Sequence, residues 1–215
     1  MYTDAFGRRG AQFAGALLGM AADTVPDDAA EFPEREVGLP DLVADRELWP
    51  LVRRMVTSAG MTRTLADWLG YAPRMELLHQ SAGGVPESLW GVVHSRPGEQ
   101  AQERNIRFLD RDGEVLLSAR AVAMLGRLPV EVRSLLTQTS TPLGLALAEM
   151  RPKRHLLHWA AVAGADGRPE LLRVTARLDS AGVPVAWVSE CLRLRELGRA
   201  RDASPSAGRP AAQGA

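Results

Sequence analysis

The chain has 215 residues, 46% of them hydrophobic and 24% charged, and its 26 basic and 26 acidic residues leave a formal net charge of zero. This length suits one well-buried domain with tails, and the neutral balance disfavours nucleic acid or an anionic membrane as a partner. The single cysteine, Cys191, excludes an intramolecular disulfide and the cysteine-based zinc motifs.

The first 41 residues are predicted to form an extension and a linker. Arg8 and Arg9 precede an Ala/Gly-rich stretch that loosely resembles a twin-arginine export signal, but its weak apolar character favours a cytoplasmic protein with an N-terminal helix. Residues 23–40 are rich in Asp, Glu and Pro, which is typical of an exposed linker. No run approaches about 18 consecutive apolar residues, so the sequence predicts no membrane span.

The folded domain is predicted over residues 42–197, with a disordered tail at 198–215. Apolar residues recur at helical spacing in 47–57, 62–69, 128–136 and 142–150. Strand-like patterns occupy 73–81, 89–95, 104–110, 114–124, 156–162, 171–178 and 183–194. Hairpin signals at Asp112-Gly113 and at 179–182 join neighbouring strands. The pattern therefore predicts an α+β fold, a single antiparallel sheet of about six strands with helices packed on it.

Four segments, taken in order, resemble the chorismate pyruvate-lyase family, which makes 4-hydroxybenzoate and pyruvate from chorismate. No segment is specific alone, but their order and spacing match over about residues 51–194. The segments are 60–65, 104–106, 127–144 (Arg-Leu-Pro through Thr-Pro-Leu-Gly) and 184–190.

The resemblance implies a six-stranded antiparallel sheet, a buried pocket for a small-molecule carboxylate, and neither an organic cofactor nor a metal. It implies that Arg104 grips a ligand carboxylate and that Glu190 meets the ring-oxygen side, as the catalytic pair. The backbone amides of Met61 and Leu143 would help to hold the ligand. Carried over in the same way, the substrate-binding set is Met61, Thr62, Ile106, Leu143, Gly144 and Arg177.

These residue types suit such a reaction. A guanidinium donates two parallel hydrogen bonds to a carboxylate, and a buried carboxyl near the ether oxygen can relay a proton. Loss of the enolpyruvyl ether makes the ring aromatic, so no redox cofactor or nucleophile is needed. The sequence thus predicts a carbon–oxygen lyase, active as a monomer or homodimer.

Each assignment has an alternative. Arg104 could be a surface arginine, and Glu190, in the apolar run 183–192, could be a salt-bridged structural acid. Arg107 lies three residues beyond Arg104 and so on the opposite face of a regular strand. His155 and His158 lack a third convergent ligand, which argues against a metal site.

The sequence departs from the family in one stretch, which leaves other functions open. Residues 172–177 keep Arg177 but carry fewer arginines than the family does, which puts the substrate in doubt. The first alternative is a related enzyme that catalyses a cyclisation or dehydration in secondary metabolism. The second is a non-catalytic aromatic-acid binding domain, as in some bacterial regulators. The acidic stretch before Leu42 leaves no room for the helix-turn-helix of such regulators, so this interpretation is the least favoured.

Overall fold

The computed structural model describes residues 36–37, 49–57, 60–163 and 169–203. The predicted N-terminal extension with its export-like segment, except for residues 36–37, lies outside the described residues. So does the part of the predicted tail beyond residue 203. The division of the chain into these three regions stays a prediction.

One antiparallel sheet forms the centre of the domain. Its strand order is β1-β5-β6-β7-β4-β3-β2, so a six-stranded sheet is extended by one two-residue strand. β1 lies inside the predicted linker and pairs with the outer edge of β5. The strands are β1 (Glu36–Val37), β2 (Arg74–Gly84), β3 (Gln100–Leu109), β4 (Val115–Met124), β5 (Lys153–Ala163), β6 (Pro169–Ser180) and β7 (Val183–Arg193).

Two rows of paired residues define the sheet face that matters for the site. Arg104 of β3 is opposite Ala121 of β4, which is opposite Val188 of β7. In the next row, Ile106 is opposite Ala119, which is opposite Glu190. Because opposed residues of antiparallel strands share a face and residues i and i+2 do too, all six side chains lie on one face, here called the inner face.

Among the described helices, all except α3 cover the inner face, in two groups. Helices α1, α2 and α6 pack around Leu65, Phe108 and Leu192, whereas α4 and α5 pack around Ala121, Leu136 and Val188. The α-helices of the described residues are α1 (Trp49–Thr57), α2 (Met61–Leu69), α3 (Trp90–Val93), α4 (Val130–Gln138), α5 (Leu143–Ala146) and α6 (Leu194–Asp202). The two apolar clusters meet above the middle of the sheet, so a gap between them is the natural place for a ligand.

One local prediction is corrected. Residues 89–95, predicted as a strand, form the end of a 3₁₀ turn (Glu87–Leu89) and helix α3, with Leu89 and Val93 both buried. A short apolar run is ambiguous between strand and helix by periodicity alone. Helix α6 runs past residue 197, where the predicted domain ends, to Asp202, and it buries Ala200.

Candidate ligand-binding site

A small cavity lies on the inner face where the two apolar clusters meet. Its volume is about 60 Å³. Helix starts close it from two sides, α2 with Gly60–Thr62 and α5 with Pro142–Gly144. The small side chains of Ala119 and Ala121 leave the space on the sheet. The remaining lining residues are Ile106, Phe108, Leu117, Arg154, Leu178, Val188 and Glu190.

Most of the site residues predicted from the sequence meet at this cavity. Met61 and Thr62 belong to the first turn of α2, whose backbone N–H groups have no partner within the helix. Leu143 and Gly144 begin α5, and Ile106 and Glu190 line the sheet side. The predicted residues of α2 and those of α5 are at least 81 positions apart in the sequence, so the six residues come together only through the fold. Their roles toward a ligand stay predictions.

Glu190 is held by an arginine that the sequence did not single out. Arg154 of β5 donates to both Glu190 oxygens, through Nη1 to Oε1 at 3.5 Å and through Nη2 to Oε2 at a shorter distance. Both side chains are almost completely buried, 6% exposed for Arg154 and 8% for Glu190. Glu190 is therefore a salt-bridged acid, as the structural alternative in the sequence predicted, and it also lines the cavity.

Arg104 lies beyond the Ile106 row, on the inner face but not in the cavity lining. It is 2% exposed. Its Nη1 donates to the Thr141 carbonyl at 2.6 Å and its Nη2 to the Thr139 carbonyl at 3.2 Å. Its Nε is buried and has no hydrogen-bond partner among the described residues. Arg104 thus ties β3 to the segment that leads into Pro142–Gly144.

The Arg104 guanidinium carries a charge that no described residue neutralises. Burial lowers the pKa of Arg104 from its ordinary value. Since an arginine side chain remains protonated in proteins, the site holds a desolvated cation bound only to neutral carbonyls. Within the described part of the chain, no carboxylate is paired with Arg104.

Two other arginines lie on the opposite, outer face. Arg177, predicted to bind substrate, donates from Nε and Nη2 to Asp179 at 2.8 and 2.9 Å, and it is opposite Trp187 in the β6–β7 register. The structure therefore separates Arg177 from the cavity, because Glu190 and Trp187 face opposite sides of β7. Arg107 also lies on the outer face, as its spacing from Arg104 predicts, and is paired with Glu76 at 2.7 Å.

Two further properties concern the described residues only. No group of three or more His, Cys, Asp or Glu side chains there is placed to hold a metal ion. None of the helices in these ranges combines the length and the apolar character needed to cross a membrane.

Comparisons with known proteins connect the chain to a fold. No protein-family model matches it, and no curated protein matches it significantly. Among 22 matching solved chains is the ligand-binding domain of a protein assigned to the GntR family of transcriptional regulators from Bordetella bronchiseptica, with 19% identity, a TM-score of 0.40, and coverage of 56% of this chain and 87% of that one. PhnF from Mycobacterium smegmatis matches with 17% identity and a TM-score of 0.46, over 63% of this chain and 64% of PhnF.

At such low identity these likenesses concern the fold alone. The predicted α+β class, a single antiparallel sheet with helices packed on it, is confirmed. The predicted carbon–oxygen lyase is wrong, because the matching structures of stated role are transcription regulators or their ligand-binding domains. The predictions of a cytoplasmic protein, of a monomer or homodimer, and of no nucleic-acid partner stay predictions.

Proposed function

We propose that this domain binds a small organic carboxylate, of about the size of a benzoate, without transforming it. The observation that carries the proposal is the buried Arg104 guanidinium. It is 2% exposed, it is bound only to main-chain carbonyls, and its Nε lacks a partner among the described residues. A buried charge is costly unless an opposite charge compensates it. An anionic ligand would supply that charge.

The dimensions of the inner face support a ligand of one-ring size. Arg104 and Glu190 are separated by two strand spacings of about 4.8 Å and by two residues of about 3.4 Å each along the strand, so their Cα atoms lie roughly 12 Å apart. Both side chains lie on the inner face. An aromatic ring with one carboxylate fills such a gap, with its body against Ile106 and Ala119.

The pairing of Glu190 supports binding rather than proton transfer. Arg154 bonds both carboxylate oxygens, so the pair presents a neutral polar end to the cavity. One unpaired cation at Arg104 then matches one carboxylate, which fits a monoanion better than a dianion. The apolar wall formed by Phe108, Leu178 and Val188 suits the ring between these two ends.

Ligand entry requires movement of the segment above Arg104. The cavity of about 60 Å³ is smaller than a benzoate, since small-molecule pockets usually measure about 300 Å³ or more. Three side-chain bonds hold the segment, to the carbonyls of Thr137, Thr139 and Thr141, with Gln80 donating to the first at 3.0 Å. Their breaking and reforming would open and close the site. Such a movement can signal that a ligand is bound.

The proposal is tested by calorimetric titration with benzoate and 4-hydroxybenzoate. Arg104→Met should weaken binding at least thirtyfold, since loss of a buried charge-assisted pair costs about 2–5 kcal/mol. Arg107→Met is the matched control on the same strand, because that side chain is 41% exposed and lies on the outer face. Its affinity should equal that of the unchanged protein, and circular dichroism should show both variants folded.

Three outcomes would contradict the proposal. The first is that no aromatic carboxylate binds to the unchanged protein. The second is a folded Arg104→Met variant with unchanged affinity. The third is release of pyruvate on incubation with chorismate, since the proposed domain does not transform its ligand.

A further inference from the structure

Two amide oxygens beside Arg104 are buried without a partner. Gln102 is 2% exposed, and its Oε1 makes no hydrogen bond with any described residue. The Oε1 of Gln80 is also buried and makes no hydrogen bond with any described residue. Buried polar atoms in native proteins are nearly always hydrogen-bonded. Two buried acceptors without a partner, next to a cation without a counter-charge among the described residues, therefore need an explanation.

The strand register places both amides next to the guanidinium. Gln80 of β2 is directly opposite Arg104, and Gln102 precedes Arg104 by two residues on β3. All three side chains therefore lie on the inner face, with the Cβ atoms of Gln80 and Arg104 about 5 Å apart. The Nε2 of Gln80 donates to the Thr137 carbonyl at 3.0 Å, so its oxygen is the group left to accept a bond.

From this arrangement we infer that the ligand carries an N–H or O–H donor next to its carboxylate. This inference rests on the proposed function, because it assumes that the carboxylate binds Arg104. Gln80 and Gln102 are then specificity-determining residues, which accept a hydrogen bond from an amino or hydroxyl group on the carbon beside the carboxylate. The ligand class is thus the 2-amino or 2-hydroxy aromatic acids and their non-aromatic analogues.

The position of the amides distinguishes this donor from a group at the far end of the ligand. Gln102 is opposite Ala123, one row beyond Arg104 in the direction away from Glu190. A substituent at the distal end of the ring would instead meet the Arg154–Glu190 pair. Only a substituent close to the carboxylate reaches the two amides.

Calorimetry with three probes tests the inference: benzoate, 2-aminobenzoate and 2-methylbenzoate. The amino and methyl groups have nearly the same size, and the aniline nitrogen is uncharged at neutral pH. One of its hydrogens can bond the carboxylate of the same molecule, and the other remains free. We expect 2-aminobenzoate to bind at least tenfold more tightly than 2-methylbenzoate, because a ligand that leaves a buried acceptor unpaired loses the bond.

Gln102→Met keeps the length of the side chain and removes the acceptor. In this variant the two substituted acids should differ by less than threefold, whereas benzoate should bind at least as well as before. Gln80→Met provides a second reading if Gln102→Met does not fold. Arg104→Met should instead weaken all three acids alike, which reports on the proposed function.

The outcomes separate the two proposals. If the unchanged protein binds 2-methylbenzoate as tightly as 2-aminobenzoate, the inferred donor is wrong while carboxylate binding stands. If a preference exists but persists in both glutamine variants, the assignment of Gln80 and Gln102 is overturned. If none of the three acids binds, both the proposed function and this inference fail.

Discussion

Replacing Arg154 with methionine should be among the most destabilising single changes in the domain. Its side chain and that of Glu190 are 6% and 8% exposed, and the two join the outer strand β5 to β7 across the cavity. Removal of one partner leaves a buried charge uncompensated, which costs about 3–5 kcal/mol. For a domain of this size that corresponds to a fall of roughly 6–20 °C in the melting temperature.

Urea unfolding followed by circular dichroism measures this loss, with two comparison variants. Arg63→Met removes an exposed pair, in which the side chains are 90% and 63% exposed and 4.0 Å apart, so it should cost less than about 1 kcal/mol. The double variant Arg154→Met/Glu190→Met removes both buried charges and should recover most of the stability. The reasoning is refuted if Arg154→Met is no more destabilising than Arg63→Met, or if the double variant is as unstable as the single one.

Three further predictions concern the loops. The hydrogen bonds from Arg127 lower the pKa of Glu99. The Glu99 carboxylate therefore stabilises the fold above its unfolded pKa of about 4.3, and this stabilisation is lost as the pH falls through the lower folded value. In Glu99→Gln, the midpoint of urea unfolding should therefore fall less steeply between neutral and acidic pH than in the unchanged protein. Ala181 has a φ of 50° and the following Gly182 a φ of 80°, and a turn with two positive φ angles favours the sequence Asn-Gly. Ala181→Asn should therefore raise the stability measured by thermal unfolding by about 1 kcal/mol. An unchanged or lower melting temperature would contradict this prediction. Asp110 Oδ1 accepts hydrogen bonds from the backbone amides of Asp112 and Glu114 at 2.9 and 2.8 Å. Asp110→Ala should therefore lower the stability measured by thermal unfolding by about 1 kcal/mol. An unchanged stability would show that water replaces these bonds.

The sequences of the turns determine how much of the sheet can be predicted from the sequence alone. Asp112-Gly113 lies in the tight connection of β3 and β4, and Ala181-Gly182 in that of β6 and β7, with positive φ at both glycines. These local signals, with the alternation of apolar residues, predict the antiparallel sheet. The same kind of pattern wrongly predicted a strand at residues 89–95. Leu89 and Val93 are buried at helical spacing because they pack against Trp187 and Val122, which the local sequence does not show.

The sequence motifs predicted eight site residues, among them Arg104, Glu190 and the residues at the two helix starts. Six of these eight residues line one cavity. Arg154 was missed because nothing local marks it. Its partner Glu190 is 36 positions away, and β6 lies between their strands. Similarly, Gln80 and Gln102 become notable only because their buried oxygens lie beside Arg104.

The clearest contrast between sequence and tertiary structure is Arg177. By itself the sequence predicted that Arg177 and Glu190 lie on neighbouring strands that are joined across residues 179–182. From the turn, Ser180 pairs with Val183, and a regular register would set Arg177 opposite Ala186, on the face of Glu190. An irregularity between Leu178 and Asp179 shifts the register by one, so Arg177 is opposite Trp187. Because side chains alternate with a period of two, this shift moves Arg177 to the outer face, and only the packing of the whole sheet decides it.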